Sequence, residues 1–544
     1  MSPGANHLEL NRRHRRFGRL LTLIGSVGLT AILSGPASHA ASEPCRYDVR
    51  ITIDPERNRF VARGQFVLPT GGWSGDSSPL WLHPAFVPTE HAYRESTGAS
   101  GQNLAVFDYR WEGWPVPGEE APIGPLSHLG SDHLMMGPGL KWFPPAWSRD
   151  IPTSGRLVIL VPERYRVLVD GHLVDDVVER GFRRVEYQFE RWYPYPSLLV
   201  VSRYQIEERR IGPVRFRFLL HPSRQSRVDA IALQAERVMD TLTRYYGEFP
   251  DTVMALVEAP PVISPDFLLG SDVAGLGMSG VVVLAADQFQ GDLATDLLAH
   301  ELAHQWWGNL TRITPVGDES GLWITEGMAE HASLLVAEAV EGGEAGRKRL
   351  ADWSSMARNV TQGGKEQPLL NVSRSERSAR SVPLVYSKAP YVFEMMRVRL
   401  GDERFAVMVR AVLDEWHGQQ PTIHRIIESM DRQSIDPWRP FLEQWIERRG
   451  LPRIDIDYAV APTSEGRWEA RFAVRQAAPV YDLTIPIRAF GAGAPVDTSF
   501  VLNTATQGFS LNLPWDPSTV TIDPEGRVLI GELTVTRVAP ADLR

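Results

Sequence analysis

Residues 45–222 are patterned for β-structure. Arg46-Tyr-Asp-Val-Arg-Ile-Thr-Ile alternates polar and apolar positions, which gives an extended chain one apolar face. Gly155-Arg-Leu-Val-Ile-Leu-Val-Pro is an apolar run of strand length, and Arg215-Phe-Arg-Phe-Leu-Leu opens with alternation. Gly and Pro clusters separate these segments. The period changes near 223. Ala230, Leu233, Val238, Leu242 and Tyr245 recur at helical spacings between Val228 and Tyr246, and Val253-Met-Ala-Leu-Val then reads as a buried strand. Further on, the pattern predicts helices over 292–308, 326–341, 386–399, 403–417, 422–432 and 437–448, with Gly342-Gly343 and Gly363-Gly364 marking loops. After Pro452 strand-like segments return at Trp468-Glu-Ala-Arg-Phe-Ala-Val, Leu483-Thr-Ile-Pro-Ile and Val520-Thr-Ile. The expected fold is multidomain α+β: a β-rich N-terminal domain (41–222), a mixed domain dominated by helices (223–450) and a C-terminal β-sandwich (451–544).

Composition narrows the chemistry. The chain has 544 residues, 43% apolar and 23% charged, which excludes wholesale disorder. Cys45 is the single cysteine, so an intrachain disulfide and any multi-cysteine zinc or iron–sulfur site are excluded. His and carboxylate groups are then the plausible zinc ligands. Four Lys stand against 53 Arg, a bias that GC-rich codons explain. A net charge of −9 argues against nucleic acid as a partner.

Residues 1–40 have the features of an export signal. Arg12, Arg13, Arg15, Arg16 and Arg19 form a basic start, Leu20 to Leu33 is apolar but short for a membrane span, and Ser38-His39-Ala40 offers small residues for cleavage after Ala40. Cleavage would leave a mature charge of −13, since five Arg and Glu9 go with the segment. The expectation is a periplasmic or secreted bacterial protein with no stable membrane insertion; an uncleaved anchor is the alternative.

One motif carries reactive chemistry. His300-Glu301-Leu302-Ala303-His304 lies in a stretch of strong helix formers without Gly or Pro. Residues four apart share a helical face, so both imidazoles can reach one ion, while Glu301 is placed to meet a metal-bound water. Catalytic zinc needs a third protein ligand. A second helix is expected near Trp323-Ile-Thr-Glu326-Gly-Met-Ala-Glu330. Glu326 would complete the site, with Glu319 as its competitor. Glu330 would accept a hydrogen bond from the outer nitrogen of a ligating His.

The blocks His-Glu-Leu-Ala-His-Gln-Trp-Trp-Gly-Asn (300–309) and Leu-Trp-Ile-Thr-Glu-Gly (322–327) closely resemble the aminopeptidase N family of gluzincin zinc peptidases. The resemblance is strong over about 225–450. It implies a thermolysin-like catalytic domain holding one zinc ion, with Glu326 as third ligand and a peptide as substrate. Tyr386-Ser-Lys388 is similar to the family's Tyr-x-Lys-Gly, which implies that Tyr386 stabilises the oxyanion. Gly275-Leu-Gly277-Met278-Ser279-Gly280 matches the family's substrate-binding Gly-x-Met-Glu-Asn, with Ser279 in place of the Glu that grips a free α-amino group. A hydroxyl lacks the charge-assisted bond of a carboxylate. Asp272 is the nearby acidic residue. In addition, 21 residues (305–325) separate His304 from Glu326, more than is usual in the family, and Gly317-Asp318-Glu319-Ser320-Gly321 reads as a loop insertion. The sequence therefore points to zinc-dependent peptide-bond hydrolysis of aminopeptidase type. Its rivals are an endopeptidase indifferent to a free N-terminus and a zinc-bearing binding protein without catalysis.

Overall fold

The computed structural model describes residues 45–69, 82–98, 101–115, 127–137, 140–143, 153–189, 198–259, 275–314, 319–364, 366–372, 382–435 and 437–543. Residues 1–40, with the expected export signal, and Asp272, Gly317 and Asp318 lie outside these residues. Among the described residues no helix is long and apolar enough to cross a membrane.

The alternation near residue 46 becomes the strand Cys45–Asp54, which buries Cys45, Tyr47, Val49, Ile51 and Ile53. This strand is central in a seven-stranded sheet ordered Phe86–Thr97, Asn103–Gly113, Arg59–Pro69, Cys45–Asp54, Thr153–Pro162, Phe182–Phe189 and His172–Glu179. Burial pushes the Cys45 thiol up to about 12, so it is an inert core group. A second sheet joins His128–Leu129, His133–Met136, Leu199–Ser202 and Arg166–Val169.

The sheet that positions the site has five strands: β1 (Ile206–Ile211), β2 (Val214–Leu219), β3 (Val253–Ala259), β4 (Gly275–Met278) and β5 (Val281–Ala285). Their order is β1-β2-β3-β5-β4, with β4 at an edge and antiparallel to β5. Met254, Leu256, Val282 and Leu284 face the helices. Ala255, Val257, Val281 and Val283 pack against Met135, Leu168 and Val200 of the second sheet. Burial on both faces explains the unbroken apolar run at 281–284. Strands β1 and β2, which the sequence reading places in the N-terminal domain, pair into this sheet through β2 and β3.

The helices that build the site are α1 (Val228–Tyr246), α2 (Thr295–Ala303), α3 (Leu322–Val336), α4 (Gly343–Gln362) and α5 (Lys388–Leu400). Helices Asp402–Glu415, Ile423–Arg432 and Arg439–Ile446 follow. Three differences from the expected spans stand out. The expected helix 292–308 stops at Ala303. Beyond it the amides of Asn309, Leu310 and Thr311 bond back five residues, and Gly308 takes φ +108. The helix expected from 326 starts at Leu322, which places Glu326 inside the helix. Helix α4 has no counterpart among the expected spans. It is largely polar and buries only Gly346, Leu350, Trp353, Ser354 and Ala357, too narrow a stripe to dominate the local pattern.

The C-terminal residues form a four-stranded sheet (Thr506–Leu513, Trp468–Gln476, Arg453–Pro462, Glu532–Arg537) and a three-stranded sheet (Val496–Leu502, Leu483–Phe490, Thr519–Ile522). Alternating residues of both, among them Ile454, Ile456, Phe472, Ile485 and Ile487, share one core with the helices.

Candidate metal and active site

Helices α2 and α3 bring three donor side chains together. Nε2 of His300 and Nε2 of His304 each lie 3.5 Å from the same Oε2 of Glu326. The three donor atoms lie within 4.8 Å of one another, and among the described residues no other His, Cys, Asp and Glu group does this. Tetrahedral zinc with bonds of about 2.0–2.1 Å needs donors roughly 3.3–3.4 Å apart, so the donor set and its spacing fit zinc. The outer nitrogens point away from the ion site: Nδ1 of His300 donates to Glu330 Oε2 at 2.9 Å, and Nδ1 of His304 to the Trp307 carbonyl at 3.0 Å. Both Nε2 atoms are thereby presented inward. Burial works to lower the His300 pKa, but the bonds to Glu326 and Glu330 outweigh it and raise it well above the usual histidine value. Glu319, the competing ligand in sequence, lies against His424 at 3.5 Å.

Glu301 faces the edge strand. The Gly277 N–H bonds its carboxylate, and burial raises its pKa above the usual glutamate value. This approach requires the two glycines of β4. A Cβ at Gly277 would sit 2.4 Å from the Glu301 carbonyl oxygen, and one at Gly275 would sit 2.8 Å from the Glu301 carboxylate. Met278 turns to the opposite face and joins its core. Ser279 is buried in the turn after β4, beside Gly280 at φ +68.

Tyr386, just before α5, donates from its hydroxyl to Glu326 Oε2 at 3.1 Å, and its ring centroid is 5.9 Å from that of His300. Lys388 is elsewhere. It is fully buried, bonds Glu366 at 2.9 Å and the carbonyls of Arg448 and Gly450 at 3.1 and 3.4 Å, and burial lowers its pKa. It ties α5 to the chain entering the C-terminal sheets.

Sequence reasoning missed three supporting residues. Arg349 and Trp353 of α4 each donate to Glu330 Oε1 at 3.0 Å. Burial raises the Glu330 pKa; the bond to His300, together with the charges of His300 and Arg349, prevails and lowers it. Gln305 fills the third place, clasping the turn after β4. Arg349 and Trp353 stand four apart, a signal visible in sequence only once α4 is known.

Residues 281–445 match the peptidase family M1 domain. Aminopeptidase N of Lactococcus lactis subsp. lactis is 27% identical over 168 residues, 30% of this chain and 19% of that protein. Probable aminopeptidase 2 of Sulfurisphaera tokodaii is 22% identical over 300 residues, 52% of this chain and 37% of that protein. The chain thus spans well under half the length of these relatives. The crystal structure of Legionella pneumophila aminopeptidase A in complex with aspartic acid is similar in fold, with a TM-score of 0.66 at 15% identity, covering 90% of this chain and 59% of that one.

Proposed function

We propose that this chain, which belongs to the aminopeptidase N-like group of peptidase family M1, hydrolyses peptide bonds with one zinc ion held by His300, His304 and Glu326. The observation that carries the reading is the convergence of both His Nε2 atoms on one Glu326 oxygen at 3.5 Å. Bound there, zinc would supply Lewis acidity and make a water easier to deprotonate. Glu301, buried and raised in pKa, takes the proton from the attacking water and passes it to the leaving amine. The Tyr386 hydroxyl turns from Glu326 to the oxygen on which negative charge develops. Glu330 keeps His300 in the tautomer that offers Nε2. Strand β4 with the turn that follows it, the stretch of Gly277, Met278 and Ser279, is the edge beside which an extended peptide would lie.

Aminopeptidase specificity is the first reading for the substrate, as in the relatives' names. An endopeptidase is the second. It is favoured by Ser279 in place of the amine-gripping Glu and by the absence of any acidic side chain in Gly275-Leu-Gly-Met-Ser-Gly280. A zinc-bearing binding protein is the least supported, since Glu301 and Tyr386 both stand at the site. Metal analysis combined with cleavage of a free aminoacyl amide and its N-acetylated form tests all three. Faster cleavage of the free form supports the aminopeptidase, equal rates support the endopeptidase, and zinc without any cleavage sinks both.

The domain reading goes with this function. Residues 41–222 form the β-rich domain, 223–450 the thermolysin-like domain and 451–544 the sandwich, except that the pairing of β1 and β2 supports an earlier start for the second. Residues 1–40 are read as an export signal from their basic and apolar blocks.

A further inference from the structure

We propose that Gln305 is a positioning residue that fixes edge strand β4 against the metal helix; its bearing on peptide binding rests on the peptidase reading. Gln305 follows His304 directly and is 1% exposed. Its Oε1 accepts from the Gly280 N–H at 2.9 Å, and its Nε2 donates to the Met278 carbonyl at 2.8 Å. These groups flank Ser279 in the turn that joins β4 to β5, where Met278 pairs with Val281. A carboxamide carries the same donor and acceptor as a backbone, so one side chain serves the turn as a strand neighbour would. The Gly280 carbonyl is taken separately by the Ala255 N–H at 2.8 Å.

The strand needs such a fixing point. It has four residues, two of them glycine, and stands at the sheet edge, so ordering it costs more backbone entropy than ordering most strands. An extended peptide adds to a sheet edge through main-chain hydrogen bonds, and these require the edge to be held at a set height. Here the height is measured against Glu301 and His304, which the two glycines touch. Gln305 belongs to the same stretch as both, so the ion site and the peptide edge are aligned by one segment of chain.

The test uses the full chain with Gln305→Leu, and Gln305→Met should the first variant fail to fold. Hydrogen exchange over 275–280, zinc content, binding of acetohydroxamate (which reaches only the metal) and binding of a hydrolysis-resistant extended peptide are measured. The expected result is exchange over 275–280 faster by roughly tenfold, the factor that about 1.4 kcal/mol represents. Peptide binding should weaken by a similar factor, with zinc content and acetohydroxamate binding unchanged. Unchanged exchange over 275–280 overturns the proposal, and so does zinc loss in parallel with it. A wild-type chain that binds acetohydroxamate but no peptide sinks the peptidase reading alone, because the exchange rates still decide the role of Gln305.

Discussion

Nδ1 of His300 donates to Oε2 of Glu330 across 2.9 Å. The other oxygen of Glu330 is held by Arg349 and Trp353, both from α4. Arg349 also pairs with Asp296 at the start of α2. One carboxylate thus fixes the ring of a proposed metal ligand and is itself fixed from two sides. Partners of this kind are worth roughly 10–100-fold in metal affinity. Glu330→Ala is expected to weaken zinc binding by that order in a chelator competition, and Arg349→Met by less. Unaltered affinity in Glu330→Ala would remove Glu330 from the site.

Glu301 contacts β4 and lies beside the donors without being one of them. Glu301→Gln keeps the shape and removes the proposed base. The expected outcome is full zinc content with turnover reduced by roughly 10²–10⁴, the usual reach of a general acid–base group. Steady-state peptide hydrolysis alongside metal analysis checks it, and a fully active variant would show the assignment to be wrong.

Tyr386 bonds Glu326 through its hydroxyl alone, so Tyr386→Phe leaves the ring in place. If the phenol serves the developing oxyanion, kcat falls by about 10²–10³ while KM and zinc content hold. A fall in zinc content instead would make Tyr386 a support for Glu326.

Glu394 supplies a pH dependence of stability. It is fully buried; burial pushes its carboxyl up, but the bond to His331 and the Arg397 guanidinium outweigh this and hold it at about 2. Arg527, from the C-terminal region, pairs with it as well. A carboxyl held below its unfolded value adds stability that is complete above about 4.5 and lost as pH falls toward 2. The unfolding free energy from urea titrations should therefore drop steeply between pH 4.5 and 2, by an amount on the order of a few kcal/mol. Arg527→Met should flatten that slope. Asp523 works in the opposite sense. Burial raises it to about 6, so its contribution is present below its unfolded value of 3.8 and declines as pH rises through 6. An equal slope in wild type and Arg527→Met between pH 4.5 and 2 would contradict the Glu394 account.

The sequence by itself determined the pairing of His300 with His304 and the orientation of Glu301, because helical geometry sets the relative directions of side chains a few residues apart. It also determined the alternating strands such as Cys45–Asp54, where one buried face writes a period of two into the chain. Only the tertiary structure decided the rest. That Glu326 and not Glu319 meets the imidazoles depends on how α3 packs on α2, which no local spacing contains. Helix α4 was invisible because a mostly polar helix owes its place to a few packed residues, and Arg349 and Trp353 were hidden with it. The same holds for Gln305 and the two glycines of β4: their meaning lies in the distance between an edge strand and a helix, and that distance exists only once both are packed.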